Sequence, residues 1–306
     1  MSATVREAAP PAGAPASPPA SPPASPPASP MRLGLRRFRR HRTGMVGLIL
    51  VAVFIATALA APLIAPASPI AASWDAIRMA PSLAHWMGTD EIGRDELSRV
   101  IWGARASLAA GVVSVVIAAA IGVPAGLAAG FAGGAIDAIL SRLVDAMLAI
   151  PFLILAIALA AFLGPNLRNA MIAIGISTAP VFMRVARAST LDTMTRDFIE
   201  AARAIGNPPW RIALKHVVPN IAAPVLIQAT LSIATAIIAE ASLSFLGLGE
   251  QPPLPSWGSM LNAAQQFLTQ APWLAIFPGL GIFFAVLGFN LMGDGLRDVL
   301  DTHRRG

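Results

Sequence analysis

The chain has 306 residues, of which 56% are apolar and only 12% charged, against about 25% charged in an ordinary soluble domain. With a mean hydropathy of +0.67 and several long apolar runs, this excludes a soluble protein and indicates an integral membrane one. The net charge of +6 does not point to nucleic acid, because Arg32, Arg36, Arg37, Arg39, Arg40 and Arg42 cluster just before the first apolar run, where a basic block orients the chain and touches anionic lipid.

Residues 1–30 are a Pro/Ala/Ser repeat, as in Ala16-Ser17-Pro18-Pro19, which cannot bury a core and is expected to be disordered or extended. The tract is a tether or, the reading favoured here, a dispensable extension. Met31 begins a plausible protein, and no apolar stretch marks a secretory signal. Residues 31–44 form a basic leader. Six membrane helices are then predicted. The first covers about 45–65 with Pro62 near its outer end, and the second about 108–129 with a kink at Pro124. The third covers about 143–163, with Pro151 inside and an amphipathic entry carrying Asp137, Arg142 and Asp145. The fourth covers about 169–183 with Pro180, the fifth about 221–246 and the sixth about 273–292. Proline inside such spans survives where neighbouring helices satisfy the freed carbonyls. Gly130, Gly133 and Gly134 read as a tight turn between the second and third.

Arginine placement puts the N-terminus in the cytoplasm. Six crossings bring the C-terminus there too, with Arg297, Arg304 and Arg305, and also the segment 189–220, with Arg196, Arg203, Arg211 and Lys215. The expected organisation is a tail at 1–30, a leader at 31–44, a first helix and extracytoplasmic loop at 45–104, a core at 105–298 and a cytoplasmic tail at 299–306.

The segment 189–220 is long for a connection between membrane helices. Phe198, Ala201, Ala202 and Ile205 recur at i, i+3, i+4 and i+7, so a short helix here carries an apolar stripe. Gly206 ends it as a C-cap and Pro208-Pro209 breaks the chain beyond. A cytosolic apolar stripe needs cover. Either it folds back on its own membrane helices, or it docks into another protein. Glu200 either pairs with Arg196 or Arg203 or meets a basic residue on a partner, and the partner is favoured. Trp210 and Val217 are placed to pack the remainder against the membrane underside.

Glu200-Ala201-Ala202, then Gly206, then Pro219 resembles the coupling loop of ATP-binding-cassette importer permeases, although His216 departs from the commonest form of that pattern. Three further blocks resemble dipeptide and oligopeptide permeases: His85 to Arg99, Glu240 to Gly249 with Pro252-Pro253 and Pro255 to Gly258, and Gly293 to Asp298. The resemblance covers most of the chain. It implies an all-α membrane protein of six transmembrane helices in the type I importer permease architecture, in a bacterial cytoplasmic membrane. It also implies a second homologous permease, two ATPase subunits and an extracytoplasmic substrate-binding protein as partners. On it, Phe198, Glu200, Ala201, Ala202, Ile205, Gly206 and Pro219 form the ATPase-coupling set. The implied cargo is dipeptides and oligopeptides, with nickel chelates, glutathione or oligosaccharides as the alternatives.

Glu240 is the one carboxylate well inside a predicted span, which makes it a functional candidate. It either lines a pathway and meets a peptide amine or, as favoured here, bonds Ser242, Ser244 or a backbone amide and holds architecture. Ser177, Thr178, Thr230 and Ser232 read as helix glue. The segment 85–104 is expected as an amphipathic helix capped by Thr89 or Asp90, with Ile92, Leu97, Val100 and Ile101 on its apolar side and Arg94, Asp95 and Arg99 facing water. It and the loop near Pro252 to Trp257 are candidate docking points for a binding protein. With no cysteine there is no disulfide or thiolate chemistry, and His41, His85, His216 and His303 are too dispersed for a metal site. No glycine loop followed by lysine cradles a phosphate, so no cofactor is expected and ATP hydrolysis is assigned to partner subunits. A stand-alone secondary transporter or channel predicts paired intramembrane charges or broken-helix repeats, and a membrane enzyme predicts clustered His, Asp or Glu. The sequence carries neither pattern.

Overall fold

A bilayer core offers no partner for backbone N–H and C=O groups, so long uncharged runs close their hydrogen bonds internally as helices. The computed structural model describes residues 38–301, which contain no β-strand. The tail at 1–30, most of the arginine leader and residues 302–306 lie outside the described residues.

Helix α1 is Arg42–Ile64, and the side chain of its N-cap His41 accepts from Gly44 N–H. Helix α2, Glu96–Ala132, has 37 residues, about 55 Å at 1.5 Å per residue, so its first turns stand beyond a bilayer core of about 30 Å. Next come α3, Gly134–Leu148, and α4, Phe152–Leu163, bent 90° from each other. Helix α5 is Leu167–Met194 and α6 is Asp197–Ala204. Helix α7 runs over Pro209–Phe245, α8 over Trp257–Ala264 and α9 over Trp273–Asp301. Among the described residues five helices (α1, α2, α5, α7, α9) are long and apolar enough to cross a membrane, and the α3–α4 pair is a sixth if counted as one span.

The predicted third span is therefore not one helix. Pro151 has no N–H to continue the ladder and biases Ile150 away from helical backbone, so the chain turns at 149–151 and restarts with Pro151 as the cap of α4. At 12 residues α4 is about 18 Å long, too short to cross alone. In α7 a proline has a milder effect. Pro219 cannot donate to the Lys215 carbonyl, and its ring presses on it. The helix widens by one residue just upstream, over Ala213–Val217, where Val218 N–H reaches back to Ala213 O.

Two glycine seams hold the bundle. Gly122, Gly126 and Gly130, spaced by four along α2, lie against Ala179, Met183, Ala186 and Thr190 of α5. A Cβ on Gly126 would stand 2.8 Å from Ala186 Cβ, and one on Gly130 2.8 Å from Thr190 Cβ. Small residues at this spacing let helix backbones approach closely. Gly130 thus belongs to the seam, while Gly133 and Gly134, with φ of 63° and 55°, make the turn. The second seam joins Gly44 and Gly47 of α1 to Gly288, Met292 and Gly295 of α9. Beside it, His41 Nε2 lies 3.0 Å from Asp298 Oδ2, so the start of α1 and the end of α9 share one face of the bundle. A cleft of about 340 Å³ lined by Ser189, Ala223 and Arg297 brings the end of α5 and the start of α7 to that face as well.

Candidate functional site

The segment predicted as a loop at 189–220 is mostly helical. Its first residues finish α5, its last begin α7, and α6 lies between. Only Thr195 and Arg196 separate α5 from α6. The expected apolar stripe divides in two. Ile199 and Ala202 are buried and pack with Ala186 of α5 and Ile212, Val217 and Ile221 of α7. Phe198 is 39% exposed, Ile205 80% exposed, and Ala201 and Glu200 are exposed beside them. Sequence reasoning missed Ile199, which anchors α6, although its i+3 relation to Ala202 was the available signal.

Gly206 ends α6 with φ 80°. Its N–H bonds Arg203 O at 2.9 Å, and Asn207 N–H bonds Ala202 O at 3.2 Å, the two bonds of a Schellman cap. No ion pair of Glu200 occurs among the described residues, whereas Arg196 pairs with Asp192 at 3.0 Å. Pro219 is exposed just beyond the widened turn of α7, and Asn220 Nδ2 donates to His216 O at 2.7 Å. The His216 ring lies 6.4 Å from that of Phe198. Val217 is buried among the helices, and Trp210 is 66% exposed. The result is a helical knuckle pinned on one side, with Phe198, Ala201 and Ile205 beside Glu200 on its free side.

Glu240 is fully buried toward the opposite end of α7. Ser244 Oγ donates to its Oε1 at 2.6 Å and Ser107 Oγ of α2 to its Oε2 at 3.3 Å. Ser242 instead donates to Ile238 O of its own helix. Ser107 was not foreseen, because nothing in sequence links positions 133 residues apart. Past the helix end, Glu250 N–H donates to Ser244 Oγ at 3.2 Å, and partial burial raises the Glu250 carboxyl above the usual carboxylate range.

Of the segment 85–104 expected as one helix, residues 85–95 are not helical. Helix α2 starts only at Glu96, and its cap is Asp95, whose Oδ2 accepts from Ser98 N–H and Oγ at 2.9 and 2.7 Å. Thr89 ties the loop together instead, its hydroxyl donating to Ala76 O and accepting from Met79 N–H. Arg94, Asp95 and Arg99 do not face water. They are buried, with Asp90 Oδ2 lying 2.5 Å from Arg94 Nε and 3.3 Å from Arg99 Nε. Arg99 also donates to Pro69 O at 3.0 Å, which closes the loop over the start of α2. Satisfied charges of this kind can be buried where isolated ones cannot. No group of His, Asp or Glu placed to hold a metal occurs among the described residues.

Comparison with known proteins places this geometry in context. A family model described as "Binding-protein-dependent transport system inner membrane component" matches residues 122–306, and one described as "N-terminal TM domain of oligopeptide transport permease C" matches residues 29–81. The chain is 44% identical over 270 residues to the dipeptide transport system permease protein DppC of Alkalihalophilus pseudofirmus, covering 88% of this chain and 89% of that one. It is 47% identical over 272 residues to the glutathione transport system permease protein GsiD of Shigella flexneri, covering 89% and 90%. Its fold is similar to a chain of the MetNI methionine ABC transporter solved in inward-facing conformations, with a TM-score of 0.56 at 22% identity over 66% of this chain and 96% of that one.

Proposed function

The chain belongs to the family of binding-protein-dependent transport system inner membrane components and is a permease subunit of an ATP-binding-cassette importer; from that premise we propose that it forms half of a pathway for dipeptides and oligopeptides and is driven through α6. The observation that carries this reading is the two-faced α6. Its inner residues Ile199 and Ala202 fix it to α5 and α7, so its free side cannot be relieved by folding back. Phe198, Ala201 and Ile205 then supply apolar contact to an ATPase subunit, and Glu200 supplies a charge for a basic residue there. Gly206 and Pro219 set the two ends of the knuckle. Closure of two ATPase subunits around nucleotide moves α6, and with it α5 and α7. The chain itself is non-catalytic in this scheme, and hydrolysis belongs to the partners. A second homologous permease completes the pathway, and an extracytoplasmic binding protein delivers cargo.

The face carrying α6 is assigned to the cytoplasm, together with both chain termini. The arginines before α1 support this, because His41 joins that end to Asp298 on the same face. Glutathione is the second cargo reading, favoured by 47% identity to the glutathione permease against 44% to the dipeptide permease. Glu240, with both oxygens engaged by hydroxyls, is assigned an architectural role.

The test is purification of the tagged chain from its native membrane in mild detergent, then reconstitution of what copurifies. A second permease, ATPase subunits and ATP-dependent uptake of a radiolabelled dipeptide are expected, with weak competition by glutathione. A chain that emerges alone and transports without ATP overturns the coupling scheme. Uptake of glutathione in preference to dipeptide overturns the cargo.

A further inference from the structure

Helix α3 is bounded by breaks at both ends. Gly133 and Gly134 both have positive φ, and nothing lies within 4 Å of where their side chains would be. At the other end the chain bends 90° into α4. Between these breaks α3 meets α5 through charge as well as apolar packing. Asp137 takes a bidentate bond from Arg187, Nε to Oδ1 at 2.5 Å and Nη2 to Oδ2 at 2.7 Å, and Ser141 Oγ donates to the same carboxylate at 3.1 Å. Eight residues on, about 12 Å along the helix, Asp145 Oδ1 accepts from Arg184 Nη2 at 2.9 Å. Val144 and Met183 pack between the pairs, beside a crevice of about 290 Å³. Arg187 lies seven residues, about 10 Å, before the end of α5, and α6 follows after two residues. The seam of Gly122, Gly126 and Gly130 makes α2 and α5 one body, whereas α3 leaves α2 at the glycine turn and packs back on it around Ala125 and Ala129.

We propose that α3 is a hinged strut which the ion pairs Asp137–Arg187 and Asp145–Arg184 clamp to α5, so that displacement of α6 is delivered to α3 and α4 rather than absorbed at the glycine turn. This rests on the permease reading above and adds the part of the chain that receives the motion. The geometry favours charge for the task. A bidentate carboxylate–guanidinium bond fixes orientation as well as distance, so Asp137–Arg187 carries most of the clamp, and Asp145–Arg184, with side chains 62% and 61% exposed, contributes less. Asp137 and Arg187 are positioning residues, touching neither cargo nor nucleotide.

The chain has no cysteine, so spin labels on Ile139→Cys of α3 and Leu191→Cys of α5, both exposed, report their separation directly. A narrow distance distribution is expected for the otherwise unaltered chain, a broad one for Asp137→Asn or Arg187→Gln, and a narrow one again when Asp137→Arg is combined with Arg187→Asp. In the reconstituted importer the single variants should lower dipeptide uptake per ATP hydrolysed by about three- to tenfold, as expected for residues that transmit motion between sites, and the exchanged pair should recover it. Equal widths in all four, or an exchanged pair no better than the singles, overturns the strut. A wild-type assembly that takes up no dipeptide with ATP overturns the transport reading instead, and the distance measurement still decides the strut.

Discussion

Gly126→Ala probes the seam on which the bundle depends. The added Cβ stands 2.8 Å from Ala186 Cβ and 2.9 Å from Arg187 N, and closer still to the Met183 carbonyl oxygen. Ordinary contact needs about 3.5–4.0 Å, so α2 and α5 must part by roughly 1 Å. Backbone atoms cannot rotate away as a flexible side chain can. Gly122 and Gly130 lie one turn to either side on the same seam, so the separation also loosens their contacts with α5. Overpacking of this kind costs about 1–3 kcal/mol, and alanine returns up to about 1 kcal/mol through its better helix propensity. The net loss is about 1–2 kcal/mol, a fall of about 1.5–3 °C in Tm for a chain of this size. Gly279→Ala is the control. It lies in α9 with nothing within 4 Å of its missing Cβ, so only the propensity gain applies. Thermal unfolding in mild detergent, followed by the fluorescence of the six tryptophans, measures both. If Gly126→Ala melts at or above the wild-type temperature, or Gly279→Ala falls as far, close backbone approach is not what holds α2 to α5.

Three other outcomes are expected. Asp90→Ala leaves Arg94 and Arg99 buried without their shared carboxylate, which costs about 3–5 kcal/mol for a broken buried pair, so the loop between α1 and α2 should open to limited proteolysis; an unchanged digestion pattern contradicts the buried cluster. Ile199→Asp should release α6 from the bundle and lower the chain's own Tm, whereas Ile205→Ser should leave Tm unchanged and reduce copurification of the ATPase; identical behaviour of the two shows that α6 has no separate inner and outer faces. Glu240→Gln keeps a carbonyl acceptor and should preserve expression and uptake, while Glu240→Leu strands the Ser107 and Ser244 hydroxyls at about 1–3 kcal/mol each; lost uptake in a well-folded Glu240→Gln points to a pathway role.

Features set by local chemistry were legible in the sequence. The apolar runs predict the long helices, because length and lack of charge suffice for a bilayer. The cap at Gly206 was readable from one glycine after a periodic stretch. The seam on α2 was readable in principle, as glycines spaced by four, but Gly130 beside Gly133 and Gly134 drew it into a turn. The apolar run places Pro151 inside a span, as Pro124 and Pro180 lie inside continuous helices. The difference lies in what packs around each. The Pro124 and Pro180 helices share the tight α2–α5 contact, which keeps them straight enough to continue, while the turn before α4 has no such neighbour on both sides.

Charges were the least legible feature, and the reason is general. A charged side chain in sequence is assigned to water because solvation is its cheapest state in isolation. That rule placed Arg94, Asp95 and Arg99 on a wet face, yet all three are buried, because the cost falls once carboxylate and guanidinium are supplied together. Asp90 lies close enough in sequence for pairing with Arg94 to be guessed. Asp137 and Arg187 are 50 residues apart, and only the return of α5 past α3 brings them together. Ser107 and Glu240 are farther apart again. Polar contacts that join distant helices are therefore the part of this molecule that sequence periodicity cannot supply. They lie at separate places in the bundle: one between α2 and α7, and two where α3 meets the helix that leads to α6.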